Sequence, residues 1–354
     1  MDKENNAIIE ISKAELALER ANDIHEMLVL RDTAAAYELL ANAQGFKDAA
    51  QKAKIFQLKA ERKAGEWLDK NVKPGNPQLL QDVTIGKLPE GISQIESHRW
   101  QLEAALPEEK FNEWVDDSLA KGYEISASGL QKLAKNHKRK EEREKIAEEG
   151  KNIEIISERW NIWQADIEDW IAPRQYDFII TDPPYPKEYL PLYETLSRRA
   201  DEWLNPGGLL LVMCGHSYLD EIYQMLNVYL DYYWTGSYLT PGQATSLWQV
   251  NVNTNWKPIL IYSKGKYTGK TFGDVFKSET NDKDYHKWGQ SISGMSSIIE
   301  KFCLPGQYIL DPFCGAGTTG VAALNNGCLF DGIDTDIESV NIAKARLHDT
   351  EKAR

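Results

Sequence analysis

The chain has 354 residues with 42% hydrophobic content, which suits folded domains with buried cores and excludes a disordered chain. Its net charge of −13 weighs mildly against a polyanionic partner, because phosphate contacts need lysine and arginine; any nucleic-acid contact must come from local distribution. Cys214, Cys303, Cys314 and Cys328 show no paired spacing and no clustered histidines, so neither a disulfide framework nor a zinc site is suggested, and a reducing compartment follows. No apolar leader follows Met1, and no run of about 18 apolar residues occurs, so a soluble, cytoplasmic protein without membrane contact is expected.

Residues 1–150 read as an all-α domain. Before Pro74 the chain has no proline and only two glycines, Gly45 and Gly65, among Ala, Leu, Glu and Lys. Pro74-Gly75-Asn76-Pro77 breaks this stretch, and Ile85, Leu88, Ile92, Ile95, Trp100 and Leu102 are candidate buried positions beyond it. Residues 84–105 fit a helix-turn-helix: a turn around Pro89-Glu90-Gly91, then a helix after Ser93 presenting Gln94, Ser97, His98 and Arg99 outward. An ordinary helical hairpin fits the same residues. The basic run from Lys132 to Lys151, with Glu141, Glu142 and Glu144 interleaved, is readable as a solvated helix or as a DNA contact.

Residues 151–354 change texture to short apolar runs between glycines, prolines and amphipathic helices, the pattern of an α/β domain. Candidate strands are 177–180, 209–213, 258–262, 308–310 and 329–333, with helices over 189–204, 218–226, 293–302 and 337–347. Between Tyr223 and Tyr262 aromatics are dense, including Tyr232, Tyr233, Trp234, Tyr238 and Trp248. Most large aromatics at such spacing are core, although some could flank a flipped base. His216 reads as a loop histidine with satisfied hydrogen bonds rather than a general base.

Two segments carry chemistry. In Tyr308-Ile309-Leu310-Asp311-Pro312-Phe313-Cys314-Gly315-Ala316-Gly317-Thr318-Thr319-Gly320 a strand enters a glycine-rich turn that opens a helix. Gly315, Gly317 and Gly320 satisfy G-x-G-x-x-G, in which missing β-carbons let a ligand lie against the backbone. The next strand ends at Asp334, close to the spacing of an acid that binds ribose hydroxyls, so an adenosine-containing cofactor is expected. Only 43 residues follow Asp311, so the remaining strands are expected from residues 150–265, with the cofactor strand mid-sheet as in a circularly permuted domain.

The second segment follows the strand ending Ile179-Ile180-Thr181: Asp182-Pro183-Pro184-Tyr185. Consecutive prolines remove backbone donors and stiffen the loop, leaving carbonyl acceptors, while Asp182 adds a carboxylate and Tyr185 a stacking face. An amine conjugated to a heteroaromatic ring is a poor nucleophile. Acceptors at its N–H groups shift it toward sp³ geometry and aim its lone pair at an electrophilic methyl, without a metal or a covalent enzyme intermediate.

On these residues the chain resembles the DNA amino-methyltransferases, in the beta arrangement where the catalytic loop precedes the cofactor loop. The resemblance spans about residues 152–348 and implies a Rossmann-like S-adenosylmethionine-dependent domain, with Asp182, Pro183, Pro184 and Tyr185 catalytic. Asp311, Phe313, Gly315, Gly317 and Thr318 resemble the cofactor motif, and Asp334 the ribose-binding acid. Asp166 is similar to the acid of a Gly-Asp pair against the cofactor adenine, with Ala165 in place of glycine. Lys287-Trp288-x-Gln290-Ser291 is similar to the segment lining the methionine end, which gives Gln290 and Ser291 as cofactor contacts; a helix N-cap at Ser291 or Ser293 is the plainer reading. Asn255-Trp256-Lys257-Pro258-Ile259-Leu260 is similar to a strand supporting the base pocket.

The resemblance implies double-stranded DNA as partner, a base extruded from the stack, and target-recognition elements within 215–285. A homodimer and a cognate restriction endonuclease are compatible further partners. Asp at the head of the loop favours adenine N6, whereas cytosine-N4 members more often carry Ser. Cytosine N4, methylation of RNA or a protein amide, a nicotinamide-dependent oxidoreductase, and a DNA-binding regulator with an inactive domain remain the alternatives.

Overall fold

The computed structural model describes residues 3–72, 88–155, 157–239, 244–248, 250–279 and 291–353. Two compact units divide at Glu141 and Glu142. The break at 74–77 and residues 84–87 of the expected helix-turn-helix lie outside the described residues.

The first unit contains helices α1 (Lys3–Arg20), α2 (Ile24–Gln44), α3 (Lys47–Asn71), α4 (Gln94–Ala104) and α5 (Glu108–Lys121), and the start of α6 (Ala127–Lys151). Asp23 opens α2 by accepting the His25 N–H, and Gly45 ends it in the left-handed region at φ 75°. Ser93 opens α4 with a capping box to Glu96. The outward face expected for α4 is corrected: Gln94 and His98 are exposed, but Ser97 is buried, and Arg99 lies over Trp100 with Glu61 and Glu103 at 3.5 and 3.8 Å. Ile95, expected in the core, is 82% exposed. These are the contacts of a helix packed on α3, and they remove half of the reading face.

Glu61 and Glu103 are both buried, and burial together with the Glu61 charge pushes Glu103 up to about 7. Arg62 donates to the carbonyls of Glu103 and Leu106, fixing the end of α4 to α3. The two helices cross at Gly65, where a β-carbon would lie 2.0 Å from the Trp100 carbonyl oxygen. Gly65→Ala must separate α3 from α4. It is expected to lower unfolding free energy by at least the ~1–3 kcal/mol usual for overpacking, read as a lower urea midpoint of the helical transition.

The second unit is built on an eight-stranded sheet: β1 (Trp160–Gln164), β2 (Tyr176–Thr181), β3 (Leu204–Met213), β4 (Asp231–Leu239), β7 (Trp256–Ser263), β8 (Val275–Lys277), β9 (Tyr308–Asp311) and β10 (Leu329–Asp334). A separate hairpin pairs β5 (Thr245–Leu247) with β6 (Val252–Thr254). The sheet order is β1-β10-β9-β2-β3-β7-β4-β8, parallel throughout except that β7 runs against β3 and β4.

Helices cover both faces, which is why the central strands read as continuous apolar runs rather than alternating ones. One face packs Phe178, Ile180, Leu211 and Ile309 under α9 (Ile292–Phe302), α10 (Thr318–Asn325) and α11 (Ile337–Lys352). The other packs Ile179, Leu210, Val212 and Leu310 under α7 (Pro191–Trp203) and α8 (Leu219–Leu226). β3 begins five residues before the expected Leu209. Its register with β2 jumps from Tyr176↔Leu204 to Phe178↔Leu209, and the slack is taken up at Gly207, with φ 81°, and Gly208, close against the Asp177 carbonyl.

Candidate active site

Parallel pairing of β2 with β9, through Phe178↔Ile309 and Ile179↔Leu310, puts the carboxyl ends of the two motif-bearing strands side by side. Thr181 Oγ1 donates to Asp311 Oδ1 at 2.7 Å, Thr319 Oγ1 donates to Asp311 Oδ2 at 2.6 Å, and the Phe313 N–H reaches Oδ1 at 3.1 Å. Asp311 is buried, so its carboxylate ties the end of β2, the turn after β9 and the first turn of α10 into one hydrogen-bonded unit. Burial pushes its pKa up to about 6 despite the three donors.

The glycine turn is held from two sides. Gly315 N–H donates to Asp334 Oδ2 at 2.8 Å, and Arg346 on α11 donates to the Ala316 carbonyl and to Thr318 Oγ1. Gly317, at φ 77°, comes so close to α11 that a β-carbon would lie 2.9 Å from that of Ala343. Gly315 has φ 49° and nothing within 4 Å of where a β-carbon would be. One glycine therefore serves packing, and the other leaves the open space against the backbone that a ligand needs.

Asp334 ends β10, and Asp166 follows β1, whose register matches Gln164 with Asp334. Asp166 is exposed and accepts the Glu168 N–H at 2.9 Å; Phe313 is half-buried. Asp166, Asp334, the Asp311–Thr318 turn and Asp182 thus lie along the carboxyl ends of four adjacent strands, β1, β10, β9 and β2. Ser291 stands apart from this line. It is the N-cap of α9, accepts the Gly294 N–H at 3.0 Å and shares a hydroxyl contact with Ser278. Gln290, Lys287 and Trp288 lie outside the described residues.

Across the sheet, Pro183 is buried, and the Tyr185 hydroxyl donates to Asp182 Oδ1. Lys257 donates to Tyr185 Oη at 3.3 Å, with its ammonium 5.1 Å from the ring centroid. Gly215 lies close to the same ring: a β-carbon there would be 3.8 Å from its Cγ. Burial and the Asp182 charge hold the Tyr185 phenol well above its ordinary pKa, so it remains a neutral donor. Burial, with Cys214 and Asp182 nearby, raises Tyr193, and burial with the Asp182 charge pushes Cys214 up to about 12. His216 Nε2 is within 2.9 Å of the Trp256 carbonyl and 3.0 Å of Thr254 Oγ1, so it is a satisfied loop histidine. An arc of carboxylates facing a donor-poor proline loop suits a cationic ligand and an amine together.

The family model described as DNA methylase matches residues 176–345, which hold both loops in this order. Over these residues the chain is similar to the DNA amino-methyltransferases. The type II methyltransferase M2.LlaDCHI of Lactococcus lactis subsp. cremoris is 34% identical over 119 residues, 31% of this chain and 44% of that protein. Type II methyltransferase M2.DpnII of Streptococcus pneumoniae is 34% identical over 118 residues, with the same coverage. The chain therefore spans less than half the length of these two relatives. Among solved structures, the M1.HpyAVI–SAM complex is 25% identical at a TM-score of 0.46, covering 53% of this chain and 98% of that one. The cytosine-N4-specific PvuII DNA methyltransferase is 14% identical at 0.47, covering 55% and 91%.

In the second unit, Thr181, Thr319, Lys257 and Arg346 also build the site, although none belongs to the residues that the motifs single out for chemistry. Lys257 follows directly on Trp256 and Thr181 directly precedes Asp182, so both stand beside the motif residues; Arg346 carries no local signal. The raised pKa of Asp311 costs stability once the group ionises: its contribution is most favourable below the unfolded value of 3.8 and is lost as pH rises through about 6. Asp311→Asn removes this titration. Relative to the variant, the wild type should lose on the order of 3 kcal/mol of unfolding free energy between pH 3.8 and 7, read from paired urea titrations.

Proposed function

We propose that the chain is an S-adenosylmethionine-dependent DNA methyltransferase acting on an exocyclic base amine, adenine N6 in double-stranded DNA. The observation that carries this reading is the hydrogen-bonded junction of the two loops: Thr181, next to the Asp182–Tyr185 loop, is bonded to Asp311, which also anchors the turn bearing Gly315. An acceptor-rich loop and a backbone cradle are thereby fixed at neighbouring strand ends, as an in-line transfer requires.

The open space at Gly315 and the adjacent carboxylates fit an adenosine cofactor with a cationic sulfur. Gly315, Gly317, Phe313 and Thr318 would hold it from the turn, with Asp334 and Asp166 toward its nucleoside. When bound, it supplies an electrophilic methyl group. Asp182 and the Pro183 carbonyl each accept one N–H of the target amine, directing its lone pair, and Asp182 or a water beyond it takes the proton released on methylation. Tyr185 has two tasks. Its hydroxyl restrains Asp182, and its ring offers stacking area that offsets part of the roughly few kcal/mol needed to extrude a base. The Lys257 ammonium polarises that hydroxyl and stiffens the loop before substrate arrives.

Asp at the head of the loop favours adenine N6 over cytosine N4. Labelled cofactor and unmethylated genomic DNA, followed by nucleoside mass analysis, should yield N6-methyladenine; N4-methylcytosine would move the target base while leaving the amine chemistry in place. Asp182→Ala is expected to abolish transfer while the cofactor still binds by calorimetry. Normal turnover by that variant would sink the mechanism.

A further inference from the structure

Every residue from Tyr232 to Trp256 is uncharged, in a chain with 27% charged residues. Within that stretch lies the β5–β6 hairpin, with register Ser246↔Asn253 and Leu247↔Val252. Its tip is closed by the Val250 N–H on the Leu247 carbonyl at 3.2 Å, and Asn251 takes the left-handed conformation at φ 55° that asparagine tolerates. Trp248 at the tip is 84% exposed, and Val250 and Val252 are 63% and 48% exposed. Among the described residues, none of the hairpin joins the core on either face of the sheet. An isolated two-stranded hairpin is marginal in water, and a bare tryptophan at its tip adds nothing to folding.

The root of the hairpin is fixed beside the candidate active site. Thr254 and Trp256 both contact His216, the residue after Gly215, which lies against Tyr185; Lys257, next after Trp256, donates to the Tyr185 hydroxyl. A groove of about 440 Å³ runs between His216, Trp256 and the apolar side of the hairpin at Leu247 and Val252. Asn251, Asn253 and Asn255 are exposed along the returning strand. Amides of this type can read adenine edges, and a two-stranded ribbon fits the major groove. A segment free of acidic groups is also where a chain of net charge −13 can let a polyanion approach.

We propose that the β5–β6 hairpin is a duplex-DNA contact whose Trp248 enters the base stack next to the target nucleotide. The inference rests on the methyltransferase reading above and adds the element that would make extrusion affordable: an aromatic wedge takes stacking area vacated when the base leaves. A second copy of the chain is the competing occupant of this apolar tip.

After the methylated positions in genomic DNA have been mapped by sequencing, the test compares wild type, Trp248→Ala and Trp248→Phe on three substrates carrying that site: intact duplex, duplex with an abasic position opposite the target, and single strand. Trp248→Ala should lose at least tenfold in kcat/KM on intact duplex, Trp248→Phe should recover part of it, and both should match wild type within about twofold on the other substrates. Equal loss on all three, or no loss on duplex, with or without a change in sedimentation, overturns the hairpin's role. A wild type inactive on every DNA overturns the methyltransferase reading itself, and the hairpin proposal with it.

Discussion

A buried carboxylate with two hydroxyl donors from different elements holds this site together. Asp311 receives Thr181 from β2 and Thr319 from α10, and without it the two loops would share a sheet edge but no fixed distance. Hydrogen bonds to a buried charge are worth more than neutral ones, and losing a partner strands the group in low dielectric. The raised pKa of Asp311 is the cost of that placement. A stability penalty at a motif residue is what positioning two loops against each other entails.

Topology supplies the rest. With β9 third in an eight-stranded sheet, flanked by β10 and β2, the cofactor-type turn has a parallel neighbour on each side. The carboxyl ends of β1, β10, β9 and β2 then form one continuous rim, and sites in open α/β sheets form along such rims. The rim is assembled from segments far apart in sequence, so the motif order carries information that neither motif holds alone.

Much of this was legible. β2, β9 and β10 are buried on both faces, and an apolar run bounded by turn residues marks such strands. The glycine turn and the proline loop were legible because each depends on backbone chemistry that few residue types supply. β4 and β8 were not: their aromatic and short polar residues form an edge, and Tyr232, Tyr233 and Trp234 are exposed there rather than core. Thr181, Lys257 and Arg346 have partners too distant in sequence for any local pattern to reveal. In the helical unit, Ile95 and Arg99 misled because α4 packs through Trp100 and a buried acid pair, which periodicity of apolar residues does not register.

The reversed strand β7 has a consequence for how such a protein can change. In a parallel strand only the last residues arrive at the rim; β7 brings its first ones, Trp256 and Lys257, and the chain just ahead of it hangs over the rim without entering the sheet. Insertions, deletions and substitutions there leave the eight-strand ladder untouched. The scaffold thereby separates a part that must be kept from a part that can drift.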